Sequence, residues 1–170
     1  MKRTALLISA LLCLPAIAPA QASQPTGLSG RVGLYLPSNG AARDESPTWF
    51  ALGLDYRLGY LGPRNVLNRD VDAFASLSID WYGAGGFNAV PVMLNYTARQ
   101  DSFYGGVGAG LALQRRPTTT GSTNDTRFTF QLSVGYDFVR FNQPYFAELR
   151  YWGSSSAQHS GFGVYAGIRF

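Results

Sequence analysis

From Leu28 to the last residue, apolar and polar side chains alternate in segments roughly ten residues long, separated by clusters of Gly, Pro, Asn, Asp and Ser. A period of two marks strands with one apolar face, and no stretch of this region keeps a 3.6-residue period. The pattern predicts eight strands: Leu28–Leu36, Thr48–Tyr60, Val71–Tyr82, Ala89–Arg99, Ser102–Gln114, Arg127–Phe138, Tyr145–Trp152 and Gly161–Phe170. Alternation is cleanest in the sixth, where Phe128, Phe130, Leu132, Val134, Tyr136 and Phe138 oppose Thr129, Gln131, Ser133, Gly135 and Asp137. Pro37–Pro47, Gly83–Asn88, Arg115–Thr126 and Gly153–Ser160 read as four longer loops, and Gln100-Asp101 and Val139–Pro144 as tighter turns. Leu61–Asp70 breaks that rule, being long for a tight turn. The fold class is all-β, and an eight-stranded antiparallel up-and-down barrel closes these hairpins with no exposed edge.

The two faces differ in chemistry. The apolar face contains no Asp, Glu, Lys or Arg. The other carries Arg31, Asp55, Arg57, Asp72, Asp80, Arg99, Asp137, Glu148, Arg150 and Arg169, five positive and five negative. A secreted lipocalin-like binder would turn its apolar face inward around a ligand. Here the polar face lacks the Lys and Glu of a solvated surface and sets glycines beside arginines, which suits a narrow lumen where guanidinium forks pair with carboxylates. The apolar face is therefore expected to meet lipid, making this a transmembrane β-barrel with a structural lumen ion-pair network. A strand of about ten residues, each rising ~3.3 Å and tilted ~40°, covers roughly 25 Å, the height of a membrane apolar band. Outward aromatics fall at two heights, Phe50, Trp81, Phe128, Tyr151 and Phe162 near the long-loop end and Tyr60, Tyr96, Phe103, Phe138, Tyr145 and Phe170 near the other, as interfacial girdles do. Inward Tyr35, Trp49, Tyr82 and Trp152 are expected to pack together and close the barrel.

Residues 1–22 read as a cleavable secretory signal peptide: Lys2 and Arg3 precede an apolar run from Ala5 to Leu14, and Ala20-Gln21-Ala22 or Ala18-Pro19-Ala20 offers a small-x-small cleavage site. The barrel domain is then 23–170. Cys13, the single cysteine, leaves with the signal, so no disulfide staples the exported chain. Removing Lys2 and Arg3 from the fourteen basic residues leaves twelve, all arginine, against ten acids, and the formal charge falls from +4 to +2. The arginines are dispersed, without the stripe that nucleic acid requires, so nucleic acid is not an expected partner. Charged residues make up 14%, below the roughly 25% of a soluble domain, which fits a chain with one uncharged face.

The terminal strand, Phe162-Gly-Val-Tyr-Ala-Gly-Ile-Arg-Phe170, alternates to a final aromatic, and Pro144 to Arg150 reads Pro-Tyr-Phe-Ala-Glu-Leu-Arg. In these segments and in its overall pattern the chain resembles small outer-membrane β-barrel proteins of the OmpA, OmpX and opacity-protein kind. The resemblance implies a cell outer membrane location, a monomer in contact with outer-membrane lipid, and a structural or surface-interaction role through extracellular loops whose ligand is unspecified. It also implies recognition by the barrel-assembly machinery through Phe162, Val164, Ile168 and Phe170. A lipid A deacylase-like enzyme is the alternative, and it would draw on His159 and Ser160 with Asp80 or Glu148 as the acid. That family's His-x-Ser-Asn pattern is absent, and Trp152-Gly153-Ser154 stands where it would be sought, so no catalytic residue is assigned and His159 is expected to be a solvated loop residue. A small channel ranks lower, because side chains fill an eight-stranded interior. Loop acids Asp44, Glu45 and Asp125 are too sparse for calcium, and no Gly-rich turn precedes a helix, so neither metal nor cofactor is expected.

Overall fold

The computed structural model describes residues 26–66, 69–118, 121–140 and 143–170; the signal segment and both cleavage sites lie outside the described residues. Eight strands, β1 (Leu28–Pro37), β2 (Trp49–Val66), β3 (Arg69–Ala84), β4 (Phe87–Gln100), β5 (Phe103–Thr118), β6 (Gly121–Arg140), β7 (Gln143–Ser154) and β8 (Gly161–Arg169), form one closed barrel in sequence order. β1 closes the ring by pairing antiparallel with β8, from Ser29 opposite Arg169 to Pro37 opposite Gly161. Every strand thus has a paired neighbour on each side, as a bilayer interior demands. A short helix, α1 (Gly40–Glu45), and a 3₁₀ turn (Ala157–His159) lie at the end opposite the termini.

Burial inverts the soluble pattern. Among the described residues thirty-one large apolar side chains are exposed, Leu94, Leu111, Leu132 and Val134 included, while Arg31, Asp80, Glu148 and Arg150 are buried. Along β4 burial alternates without a break from Phe87 to Tyr96. An apolar band this continuous is foreign to a water-facing surface and matched by lipid. Space inside is made by glycine: a Cβ on Gly53 would land on the Asp80 carboxylate and the Arg31 guanidinium.

Two of the four expected loops are largely strand. Gly83–Asn88 contains only the turn Gly85-Gly86, with Gly85 in the left-handed region at φ 58°. Arg115–Thr126 pairs from Arg115 opposite Asn124 up to Thr118 opposite Gly121, while the β6–β7 register starts only at Thr129. The β5–β6 hairpin therefore stands past its neighbours, its Thr residues at home in extended backbone. Leu61–Asp70 is likewise mostly strand, with Val66 opposite Arg69. Two bulges in β2, between Arg57 and Gly59 and between Tyr60 and Gly62, each insert one residue. The first brings Tyr60 opposite Phe74, with ring centres 5.4 Å apart, so Tyr60 leaves the outward row that simple alternation assigns it.

Candidate functional site

The inward side chains form three tiers. At the α1 end, Tyr35, Trp49, Tyr82 and Trp152 are fully buried in one cluster with Phe87 and Tyr165. Tyr35 stacks on Tyr82 at 4.3 Å, Trp49 on Phe87 at 5.7 Å, and Tyr82 lies 5.6 Å from Trp152. The hydroxyls of Tyr35 and Tyr82 both donate to the His159 carbonyl, at 2.8 and 3.1 Å. His159 is buried among these rings, which corrects the expectation of a solvated loop residue: the 3₁₀ turn folds it inward as part of the plug. Its Nε2 lies 3.1 Å from the Arg115 carbonyl, and its Nδ1 makes no hydrogen bond among the described residues. Burial lowers its pKa from the ordinary histidine value, against the raising effect of nearby backbone acceptors, so the neutral ring is favoured.

The middle tier is ionic. Asp80 accepts from Arg31 Nε at 2.9 Å and Nη2 at 2.6 and 2.8 Å, and from Arg150 Nη1 at 3.4 Å. Arg150 also holds Glu148, which takes the Tyr104 hydroxyl at 3.1 Å. These four charged side chains are 1–5% exposed. Asp55, beside them, accepts from Ser76 at 3.1 Å and makes no ion pair among the described residues. Asn95 donates to Ser78 and accepts from Gln131, so this tier leaves little open bore.

The third tier is the mouth at the end carrying both termini. Asp137 joins Arg99 at 2.7 Å and Arg169 at 2.9 Å. Arg57 and Asp72 depart from the expected network. Among the described residues Arg57 has no carboxylate within 4.0 Å and lies over the Phe74 ring, 4.1 Å from its centre. Asp72 accepts the Tyr60 hydroxyl at 2.7 Å, because the β2 bulge delivers Tyr60 to it.

Seven of the ten predicted lumen charges therefore join in ion pairs, in two separate groups. Missed in the sequence were Phe87, hidden by its place in an expected loop, and Tyr165, which the period of two in β8 does place beside Gly163 on the inward side. The four assembly-signal residues stay on the outer row, with Phe162, Val164 and Phe170 exposed and Ile168 half-buried. His159, Ser160 and an acid do not converge: Ser160 Oγ accepts from the Ser154 amide, while Asp80 and Glu148 are engaged by arginines one tier below. No group of side chains that could hold a metal occurs among the described residues.

Among solved structures, the chain is similar to the outer-membrane enzyme PagL, with a TM-score of 0.50 and 14% identity over 84% of this chain and 99% of that one. The fold is that of the small outer-membrane barrels. Ail of Yersinia pestis, determined in a phospholipid nanodisc, gives 0.47 and 14% over 84% and 98%. The N-terminal β-barrel domain of Pseudomonas aeruginosa OprF gives 0.48 and 15% over 86% and 100%. No family model matches the chain, and no curated protein does. The eight-stranded barrel shared with PagL fits the outward apolar band, and the three lumen tiers are described by this chain's own residues.

Proposed function

We propose that this protein resides in the cell outer membrane as a non-conducting, non-enzymatic barrel that acts structurally and through the surface presented by α1 and the β5–β6 hairpin. The observation carrying this reading is the pairing of an uncharged lipid-facing band with a lumen stopped by fully buried Tyr35, Trp49, Tyr82 and Trp152. A conducting pore needs a water-filled path, and the middle-tier charges Arg31, Asp80 and Arg150 are locked together beneath an aromatic plug. The termini then face the periplasm, and the hairpin bearing Arg116, Asp125 and Arg127 faces outward. Phe162, Val164, Ile168 and Phe170 serve the assembly machinery, with Phe170 held by its amide donating to the Leu28 carbonyl at 2.8 Å.

Membrane fractionation with heat-dependent gel mobility tests the location: the protein is expected in the outer-membrane fraction, running faster before boiling. Recovery as a soluble periplasmic protein refutes it. Planar bilayers are expected to show no steady conductance, and lipid A mass spectra are expected to be the same with and without the protein. Deleting Phe170 is expected to reduce insertion, and undiminished insertion removes its assigned role.

A further inference from the structure

Lumen charge is balanced in number but not in place. The middle tier sets Asp80 and Glu148 against Arg31 and Arg150, and Asp55 lies between this tier and the mouth, lining clefts at both. The mouth at the termini sets Arg57, Arg99 and Arg169 against Asp137 and the edge of Asp55, a basic excess of one. Asp72 lies opposite Arg99 in register but is occupied by Tyr60 and forms no ion pair among the described residues.

The three guanidiniums line one cleft together with Ser29, Ser76, Thr97 and the Asp55 carboxylate, which makes no ion pair with them among the described residues. They come from β2, β4 and β8, so they approach from different sides of the ring. Aromatic faces hold them in place: Arg57 lies over Phe74, while Arg169 lies 4.6 Å from the Phe146 ring centre and 5.0 Å from that of Tyr104. Arg99 is 6.0 Å from the Tyr104 ring, and its Nε is buried with no acceptor among the described residues. Rigid planar donors in this number exceed what Asp137 and Asp55 together can accept, and stacking on rings lowers the ordering needed to receive a ligand.

We propose that this mouth is a binding site for a phosphate-type oxyanion, entering from the side of the termini. Convergent guanidinium forks match the tetrahedral oxygens of a phosphate, and the cleft hydroxyls can supply further donors. The same chemistry is offered by free phosphate and by the headgroup of a phosphatidic-acid-type lipid, whose acyl chains would lie along the outer band. The site follows from the residues alone, and the proposed orientation of the barrel decides only which compartment supplies the anion.

The test uses the refolded full barrel in neutral detergent micelles, titrated with inorganic phosphate and, in a second arm, with micelles doped with phosphatidic acid. Binding is followed by calorimetry and by the rise in urea midpoint. Arg57→Gln is the informative variant, because Arg57 holds no carboxylate that its loss would strand. Binding is expected to weaken at least tenfold in Arg57→Gln, to be partly kept in Arg57→Lys, and to be unchanged in Arg127→Gln on the far hairpin. Saturation by free phosphate identifies a soluble anion; a response only to the doped micelles identifies a lipid headgroup. Absence of both responses in the wild type overturns the site, as does equal binding by wild type and Arg57→Gln. Gel mobility before boiling verifies folding, and should Arg57→Gln fail that check, Arg57→Lys carries the comparison: affinity equal to wild type then overturns the site.

Discussion

Asp80 is the residue on which the middle tier turns, and its removal should be far costlier than removal of a similar ion-paired acid on the rim. Its carboxylate receives three contacts from Arg31 within 2.9 Å and one from Arg150 at 3.4 Å, with all three side chains at most 3% exposed. Asp80→Ala leaves two guanidiniums in a dry interior, with Glu148 the one carboxylate still ion-paired in that tier. Breaking a buried pair from one side costs about 3–5 kcal/mol. At ~1.4 kcal/mol per decade, that shifts the folding equilibrium by roughly two to three and a half powers of ten. Asp125 is the control: it also meets two arginines, Arg116 at 3.4 Å and Arg127 at 3.3 Å, but those side chains are 41% and 43% exposed. Pairs of that kind contribute about 0–1 kcal/mol. Urea unfolding of both variants in micelles, read by tryptophan fluorescence and gel mobility, compares them directly. Equal losses for Asp80→Ala and Asp125→Ala would refute the reasoning, showing the lumen to be wet enough to screen its charges.

Leu132, mid-way along the outward row of β6, should resist charge: Leu132→Arg is expected to cost about 2–4 kcal/mol in lipid vesicles, against about 0–1 for Leu113→Arg near the outer end. A cost independent of height would mean that the outward row does not face lipid. His159 should make the plug acid-sensitive. Its folded pKa is depressed, so the unfolded chain binds the extra proton first, and stability is full above about pH 6.5 and declines as pH falls toward the folded value. Urea midpoints at pH 8 and pH 5 should differ less in His159→Phe than in the wild type, and the same difference in both would dissociate the histidine from the acid response.

Strand number, order and facing were legible because a period of two assigns a whole strand to one face, and the charge-free row then selects which face meets lipid. Tyr60 shows where that rule stops. A bulge inserts a residue without any change in composition, and Leu58-Gly59-Tyr60-Leu61 still reads as alternation on paper. The hairpin from Arg115 to Thr126 was hidden differently: its Pro, Thr, Gly, Ser and Asn residues look like a loop, yet β-branched threonines pair readily once the strands beneath fix their direction. His159 carried no periodic signal at all, since its burial is set by tyrosines more than seventy residues away in sequence. The charges were identified as a set, but who pairs with whom depends on distances across the ring. That is why Arg57 and Asp72 were grouped with partners they do not touch.

Those cross-ring distances suggest what the ion pairs do for the fold. A barrel in lipid gains little from moving Leu and Val out of water once it is already in the bilayer, so the outward band does not choose among registers that all remain apolar. The lumen does. Arg31 on β1 reaches Asp80 on β3, Arg150 on β7 reaches the same Asp80, and Asp137 on β6 joins Arg99 on β4 and Arg169 on β8. None of these links strands that are paired with each other, apart from Glu148 and Arg150 within β7 itself. A one-residue slip of β1, β3, β4, β6, β7 or β8 would turn its inward charges to the lipid face, where an arginine near the midplane costs about 2–4 kcal/mol, and would also strand its partner across the ring. In a chain whose described residues contain no cysteine, this cross-ring wiring ties six of the eight strands to one register, and it is firmest in the middle tier, where the linked side chains are 1–3% exposed.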